Sequence, residues 1–413
     1  MEDLGSIWEL YGLRANPFST NPLLVKGGIL PLDCFYGRND ELNRIAKMFR
    51  SEGGTRMLIV GEPGVGKTTL VNFARSKAIE NGFFSPFQEI KVQSEWTGDD
   101  LILNTLCAIY STLKLLGENP DTKKLVEKLK HIVDLYEIKD RDFSVNAFGT
   151  GLGYDEARTV YKPSMTSSFI LELFQESIED LKKAGYREII LHYNNFELLE
   201  EDEGRLKNLL NQIRDFLQTP NVHFIFVGSK GLPAILQGIP RVSAIFQDTP
   251  IKLDSISKTD LLSVIEKRIE VLKIPNLNTV KPCTNNAVLL LYKIYDGNMR
   301  AIFNSISTAI LETVKDTPIT LDDKHVKAVL STVAKKRFTS KLSPAMQKVL
   351  NALIEAGEAT NKQLSEKTGM APQNISKYLK DLSNASCVFM LRSEGKEKFY
   401  AASDWVKWVG LDA

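Results

Sequence analysis

The stretch "MLIVGEPGVGKTTLVNFARSKA" (residues 57–78) decides how the chain is read. An apolar run ends at Val60, Gly61-x4-Gly66-Lys67-Thr68 follows, and an amphipathic helical pattern starts at once. Strand, glycine loop and helix in that order are what a phosphate-binding loop requires. Its glycines let backbone N–H groups fold round phosphates, and the helix start adds its dipole. Lys67 then reaches the β and γ oxygens, and Thr68 offers a hydroxyl to Mg²⁺. Composition alone produces such a pattern on the order of once in a hundred chains of this length. Gly61, Glu62, Pro63, Gly64, Val65, Gly66, Lys67, Thr68 and Thr69 are therefore the candidate nucleotide contacts, with ATP or ADP and Mg²⁺ as ligands.

At 413 residues the chain is too long for one core, and two or three units are expected. It is 43% hydrophobic and 25% charged with a net charge of +1, which excludes disorder and a global polycation. Cys34, Cys107, Cys283 and Cys387 lie far apart with no C-x-x-C pair, so neither a zinc site nor a disulfide framework is indicated. The first residues, "MEDLGSIWELYG", are acidic and lack an apolar segment, and no membrane-length apolar run occurs. A cytoplasmic protein without membrane association is expected.

Strand candidates at 56–60, 87–92, 188–193, 222–228 and 248–253 alternate with helical stretches, the pattern of a parallel α/β sheet. A long insertion at about 101–165 reads helical in its first half, while 142–164 is glycine-rich and aromatic. That insertion is a candidate for a protein partner or for a surface hairpin closing the sheet edge. Residues 254–334 are helical by periodicity, with Asp and Asn near the helix starts. The expected organisation is an N-terminal extension (1–33), a P-loop core (34–253), a helical lid (254–334), a basic connector (335–342) and a last unit (343–413).

Upstream of the loop, "CFYGRNDELNRIAKMF" (34–49) puts Gly37-Arg38 before a helix with Leu42, Ile45 and Phe49 on one face. With the P-loop and the helical domain, this resembles the AAA+ ATPases, in the branch of archaeal origin-recognition initiators and STAND signalling ATPases. The resemblance implies that Phe35, Tyr36 and Gly37 line an adenine pocket. It places Ser229, or Lys230, at sensor 1, and Arg300 after Gly297-Asn298 at sensor 2. Arg241 takes the place of an arginine finger, which implies a homo-oligomer. A guanidinium suits both arginine positions, because its planar fork pairs with a γ-phosphate.

One stretch departs from the family. The strand "EIILHY" runs into Asn194-Asn195, where the resemblance implies an Asp that holds Mg²⁺ and an acid that polarises water. An Asn amide accepts a hydrogen bond from a metal-bound water but carries no charge and is no useful base. Glu197, His192 and the cluster Glu200, Glu201, Asp202 and Glu203 are the candidate replacements.

Residues 343–403 read as three helices and a hairpin turning at Glu394-Gly395, which resembles a winged helix-turn-helix. That geometry lays the third helix in a major groove, with Gln373, Asn374, Ser376, Lys377 and Lys380 as contacts and Lys396 and Lys398 near phosphates. From residue 341 onward there are ten Lys/Arg against eight Asp/Glu, so docking on protein stays open beside double-stranded DNA. The sequence thus points to an ATP-controlled, DNA-associated regulator with slow hydrolysis. A STAND-type signalling or defence scaffold and a transposition-type DNA-loading ATPase are the alternatives.

Overall fold

The computed structural model describes residues 5–117, 119–145, 165–200, 202–246, 249–338, 342–394 and 397–408. After a short α1 (Ile7–Leu10), the core runs α2 (Asn39–Phe49), β1 (Arg56–Gly61), α3 (Lys67–Glu80), β2 (Ile90–Lys91), α4 (Gly98–Leu116), α5 (Pro120–Val145) and α6 (Ser167–Lys183). It continues with β3 (Ile189–Asn194), α7 (Glu197–Glu200), α8 (Glu203–Gln212), α9 (Arg214–Leu217), β4 (Val222–Gly228), α10 (Leu232–Gln237), α11 (Pro240–Ser243) and β5 (Ile251–Leu253). The five strands expected from the sequence all form, parallel, in the order β2-β3-β4-β1-β5.

Side chains alternate across a strand, and here both faces are apolar, as a parallel sheet covered on two sides demands. Met57 and Ile59 of β1, with Ile190, Ile225 and Val227, pack under α2 and α3 through Ile45, Phe49, Leu70 and Val71. Leu58 and Val60, with Leu191, Tyr193, Phe224 and Phe226, face the opposite layer. The helical half of the insertion belongs to that layer: Leu101, Leu106 and Ile109 of α4 and Leu125 and Leu129 of α5 are buried in it. The Tyr193 hydroxyl and Thr105 Oγ share a buried hydrogen bond of 2.9 Å across it. The glycine-rich part of the insertion from 146 to 164 lies outside the described residues.

Two compact units divide the chain, 21–254 and a second made of 1–20 with 255–413. In the second unit α12 (Lys258–Leu272), α13 (Asn285–Tyr295), α14 (Met299–Thr313) and α15 (Asp323–Phe338) form a helical bundle. Ser257, Thr284 and Asn298 cap the first three of these through their side chains. The N-terminal residues read as an extension pack into this bundle. Trp8, Tyr11, Leu13 and Phe18 are buried, and Arg268 donates to the carbonyls of Pro17 (3.0 Å) and Ser19 (2.9 Å) while lying over the Phe303 ring. Helix α15 runs through the first residues of the basic connector.

A winged helix follows: α16 (Pro344–Ala356), β6 (Glu358–Thr360), α17 (Asn361–Thr368), α18 (Pro372–Asn384), β7 (Val388–Glu394) and β8 (Glu397–Ala402). Ser343 caps α16, a Thr360 and Gln363 capping box opens α17, and Gly369 in the left-handed region ends it. The strands form one antiparallel sheet in the order β6-β8-β7. After the wing, Trp408 is fully buried and its Nε1 donates to the Tyr295 hydroxyl at 2.5 Å, to which Ser305 Oγ also donates at 2.8 Å. The winged helix is thereby tied to the last residue of α13, next to the turn that leads to Arg300.

Tyr295→Phe strips both donors of their acceptor, and each buried orphan costs about 1–3 kcal/mol. The urea unfolding midpoint of the full chain is expected to fall for this variant, and further for Trp408→Ala. An unchanged midpoint in both would remove the tie.

Candidate nucleotide site

Strand β1 delivers the P-loop to the carboxyl edge of the sheet, where open α/β folds place their ligands. Gly64 (φ 88°) and Gly66 (φ 97°) take left-handed conformations, and Gly66 leads into α3 with no side-chain cap on its first N–H groups. Those uncapped donors suit phosphate oxygens. Lys67 folds back over the loop, with Nζ donating to the carbonyls of Gly61 (2.7 Å) and Glu62 (3.1 Å). Glu62 and Pro63 are exposed, Val65 is buried, and Thr69 is half-buried in the first turn.

Asn194 ends β3 and is 8% exposed. Its Nδ2 donates to Thr68 Oγ at 3.0 Å, so the two groups expected around Mg²⁺ meet, and both are neutral. Asn195 leaves the strand with φ 66°, half-buried, and Glu197 is exposed at the start of α7. His192 points to the same side of β3 as Asn194 but goes to Arg75, 3.3 Å from a guanidinium nitrogen. Burial first and the Arg75 charge second hold its pKa well below 6.5. His192 is therefore a neutral acceptor inside the fold.

Arg38 and Asp254, to which sequence reasoning gave no role, meet beside the P-loop. Arg38 donates to Val65 O (3.4 Å) and Asp254 O (2.6 Å) and pairs with Glu41, stitching the P-loop to the end of β5. Lys230 lies 3.5 Å from Glu62 and 3.8 Å from Asp254. Glu200, from the acidic cluster, binds Ser229 at the end of β4; Glu201 lies outside the described residues. Apart from Arg38–Glu41, three residues apart, these pairings have no local sequence signal, because the partners are distant along the chain.

The Phe35 ring is stacked on Phe73 at 4.3 Å, and Tyr36 is 44% exposed beside Gly37. Arg241 is exposed on α11; Arg300 is exposed in the first turn of α14. In the winged helix, Gln373, Asn374, Ser376, Lys377 and Lys380 lie along the exposed side of α18, opposite buried Ile375 and Leu379. Ser376 is engaged by Asn361 at 2.6 Å; Lys398 is exposed on β8, and Lys396 lies outside the described residues. Among the described residues no cluster of His, Cys, Asp or Glu forms a metal cage, and no helix is long and apolar enough to cross a membrane.

The fold as a whole is similar to that of a solved structure. The ORC2 protein of Aeropyrum pernix, in ADPNP and ADP complexes, superposes with a TM-score of 0.50 at 14% identity over 96% of this chain and 97% of that one. The chain has the fold of an AAA+ ATPase with a C-terminal winged helix. Residues 342–386 match the winged helix-turn-helix DNA-binding family. Chaperone protein ClpB of Oceanobacillus iheyensis is 23% identical over 188 residues, 45% of this chain. ClpB of Helicobacter hepaticus is 21% identical over 193 residues, 46% of this chain. The matches span only 22% and 21% of those chaperones.

A buried neutral His192 makes stability depend on pH. Unfolded, the imidazole takes a proton near 6.5; folded, it does not, so the unfolded state binds more protons below that value. Stability is expected to fall as pH drops from about 7 to about 5, by up to about 1.4 kcal/mol per unit from this group. Denaturant titrations across that range should show a flatter dependence for His192→Gln than for the parent.

Proposed function

We propose that this protein binds ATP at the Gly61–Thr68 loop, hydrolyses it slowly, and uses the bound nucleotide to control DNA association through the winged helix. The observation that carries this reading is the Asn194 to Thr68 hydrogen bond of 3.0 Å beside a complete P-loop. The phosphate-holding parts are present, while the strand end that should supply charge is neutral. A general base contributes about 10²–10⁴-fold to rate, so its loss slows turnover far more than it weakens binding. Thr68 Oγ and the Asn194 amide fit a magnesium ion held largely by phosphate oxygens and water. Such an ion neutralises charge that develops on the phosphates.

Arg300 is the lid's candidate for reading the γ-phosphate, and Arg241, exposed, is available to a neighbouring subunit in a homo-oligomer. ATP against ADP then biases two arrangements of the chain. For DNA, the exposed row on α18 and the family match over 342–386 support major-groove docking. All four cysteines are free, which supports a reducing, cytoplasmic setting. One observation favours a second reading. Phe389, Met390 and Leu391 are 46%, 52% and 47% exposed on β7, an edge strand, which suits a protein surface better than a phosphate backbone. Under that reading ATP licenses a scaffold, with the 101–165 insertion as a further docking element.

Lys67→Ala is expected to abolish ATP binding in calorimetry; binding as tight as the parent's would overturn the site. Asn194→Asp should raise turnover, and brisk parental hydrolysis unaffected by the change would end the slow-switch reading. Duplex affinity, measured with and without ATP, is expected to fall steeply with salt. A flat dependence alongside ATP-dependent oligomers favours the scaffold.

A further inference from the structure

Glu200 closes α7 one turn beyond Asn195, and its carboxylate makes two contacts with one residue of β4's exit. Oε1 accepts the Ser229 backbone N–H at 2.9 Å, and Oε2 accepts the Ser229 hydroxyl. Ser229 Oγ in turn accepts the Gly231 N–H at 2.9 Å. The seat is built for the carboxylate: a Cβ at Gly228 would lie 2.8 Å from Glu200 Oε1 and 2.7 Å from Leu232 Cδ2. Val60 pairs with Gly228 in register, so Ser229 leaves the sheet beside the first P-loop glycine.

A serine hydroxyl has one proton and two acceptor positions, and an ionised carboxylate has no proton to give. With its proton committed to Glu200 and one acceptor position filled by Gly231, Ser229 keeps one acceptor position. It can take a hydrogen bond from water but cannot donate one to a phosphate oxygen.

We propose that Glu200 is a positioning residue that fixes Ser229 as an acceptor, so that this edge of the site orients water rather than gripping the γ-phosphate. The inference rests on the ATP-site reading above. It accounts for an acidic side chain of the helix that follows the altered strand end, and it gives that carboxylate a role other than general base. Glu200 acts on the nucleotide only through Ser229.

Glu200→Gln tests the polarity with little change of shape. The amide oxygen stays on the Ser229 N–H, which turns the amide NH₂ toward Oγ; the serine proton is then free for a γ-phosphate oxygen. Calorimetry with Mg²⁺ and either ATP or ADP is expected to show the ATP-over-ADP affinity ratio rising about tenfold, the worth of one hydrogen bond to a charged group. Turnover is expected to fall. In Ser229→Ala/Glu200→Gln the ratio should return to that of Ser229→Ala alone. If the rise persists in the double variant, loss of negative charge explains it and the proposal is overturned. An unchanged ratio and turnover in Glu200→Gln would make Glu200 a turn cap and nothing more.

Ser229→Ala keeps the proposal testable should Glu200→Gln not fold. It is expected to lower turnover while leaving the ATP-over-ADP ratio within about twofold of the parent, since the serine gives the γ-phosphate no hydrogen bond. A selective loss of ATP affinity would show that the serine donates and would overturn the assignment. Parental protein that binds neither nucleotide would defeat the ATP reading itself, whereas every other overturning outcome leaves nucleotide binding intact.

Discussion

The guanidinium of Arg75, fully buried between the P-loop helix and the third strand, holds the phosphate loop against the rest of the core. It donates to Asn72 Oδ1 at 2.9 Å, Ser85 Oγ at 2.8 Å, and the carbonyls of Pro86 and Gln88, and one nitrogen lies 3.3 Å from His192 Nδ1. Burial lowers its pKa to about 10, with the nearby Glu89 carboxylate opposing the shift, so it remains a cation at neutral pH. An isolated buried charge would cost far more than a domain's whole stability margin, and only this full set of acceptors makes it tolerable. The consequence is positional. Thr68 lies two turns before Arg75 on α3, and Asn194 lies two residues after His192 on β3, so one network sets the distance across which the site is built.

A frame so constrained does not by itself supply chemistry. Helix α3 offers uncapped N–H groups, Lys67 and a hydroxyl, all suited to holding phosphate. The strand that faces them offers an amide. Under the proposed reading, binding and turnover are separable because they draw on different elements: the loop and helix for affinity, the ends of β3 and β4 for the attacking water. The second unit has its own tie, since the Tyr295, Ser305 and Trp408 network leads from the wing to the turn that carries Arg300.

What the sequence made legible was local. The P-loop spans eight residues with a strand and helix on its flanks, and the five strands and the winged-helix caps are signalled by neighbours along the chain. What it hid was long-range. Arg75 reads as one more basic residue on a helix; its partners at 85, 86, 88 and 192 come together only in the folded sheet. Glu200 stood in an acidic run read as a candidate source of the missing acids, and nothing near it marks Ser229, 29 residues away, as its partner. The N-terminal residues carry Trp8, Tyr11 and Phe18, a core's worth of aromatics, but the surface that buries them begins some 250 residues later in α12.

The two asparagines at the end of β3 differ in kind. Asn194 sits in regular strand geometry, where Asp would fit the same backbone, so its amide is a change of chemistry alone. Asn195 has φ 66°. Left-handed backbone costs most side chains about 1–2 kcal/mol, and Asn is among the few residues that adopt it readily because its short amide bonds locally. A Glu there would carry that strain. The exit from β3 therefore suits an asparagine, and a Glu placed at 195 carries about 1–2 kcal/mol of backbone strain that an Asp largely escapes. Asn194 is thus the strand-end position at which a carboxylate enters on regular backbone, while the Glu200 carboxylate is held on Ser229.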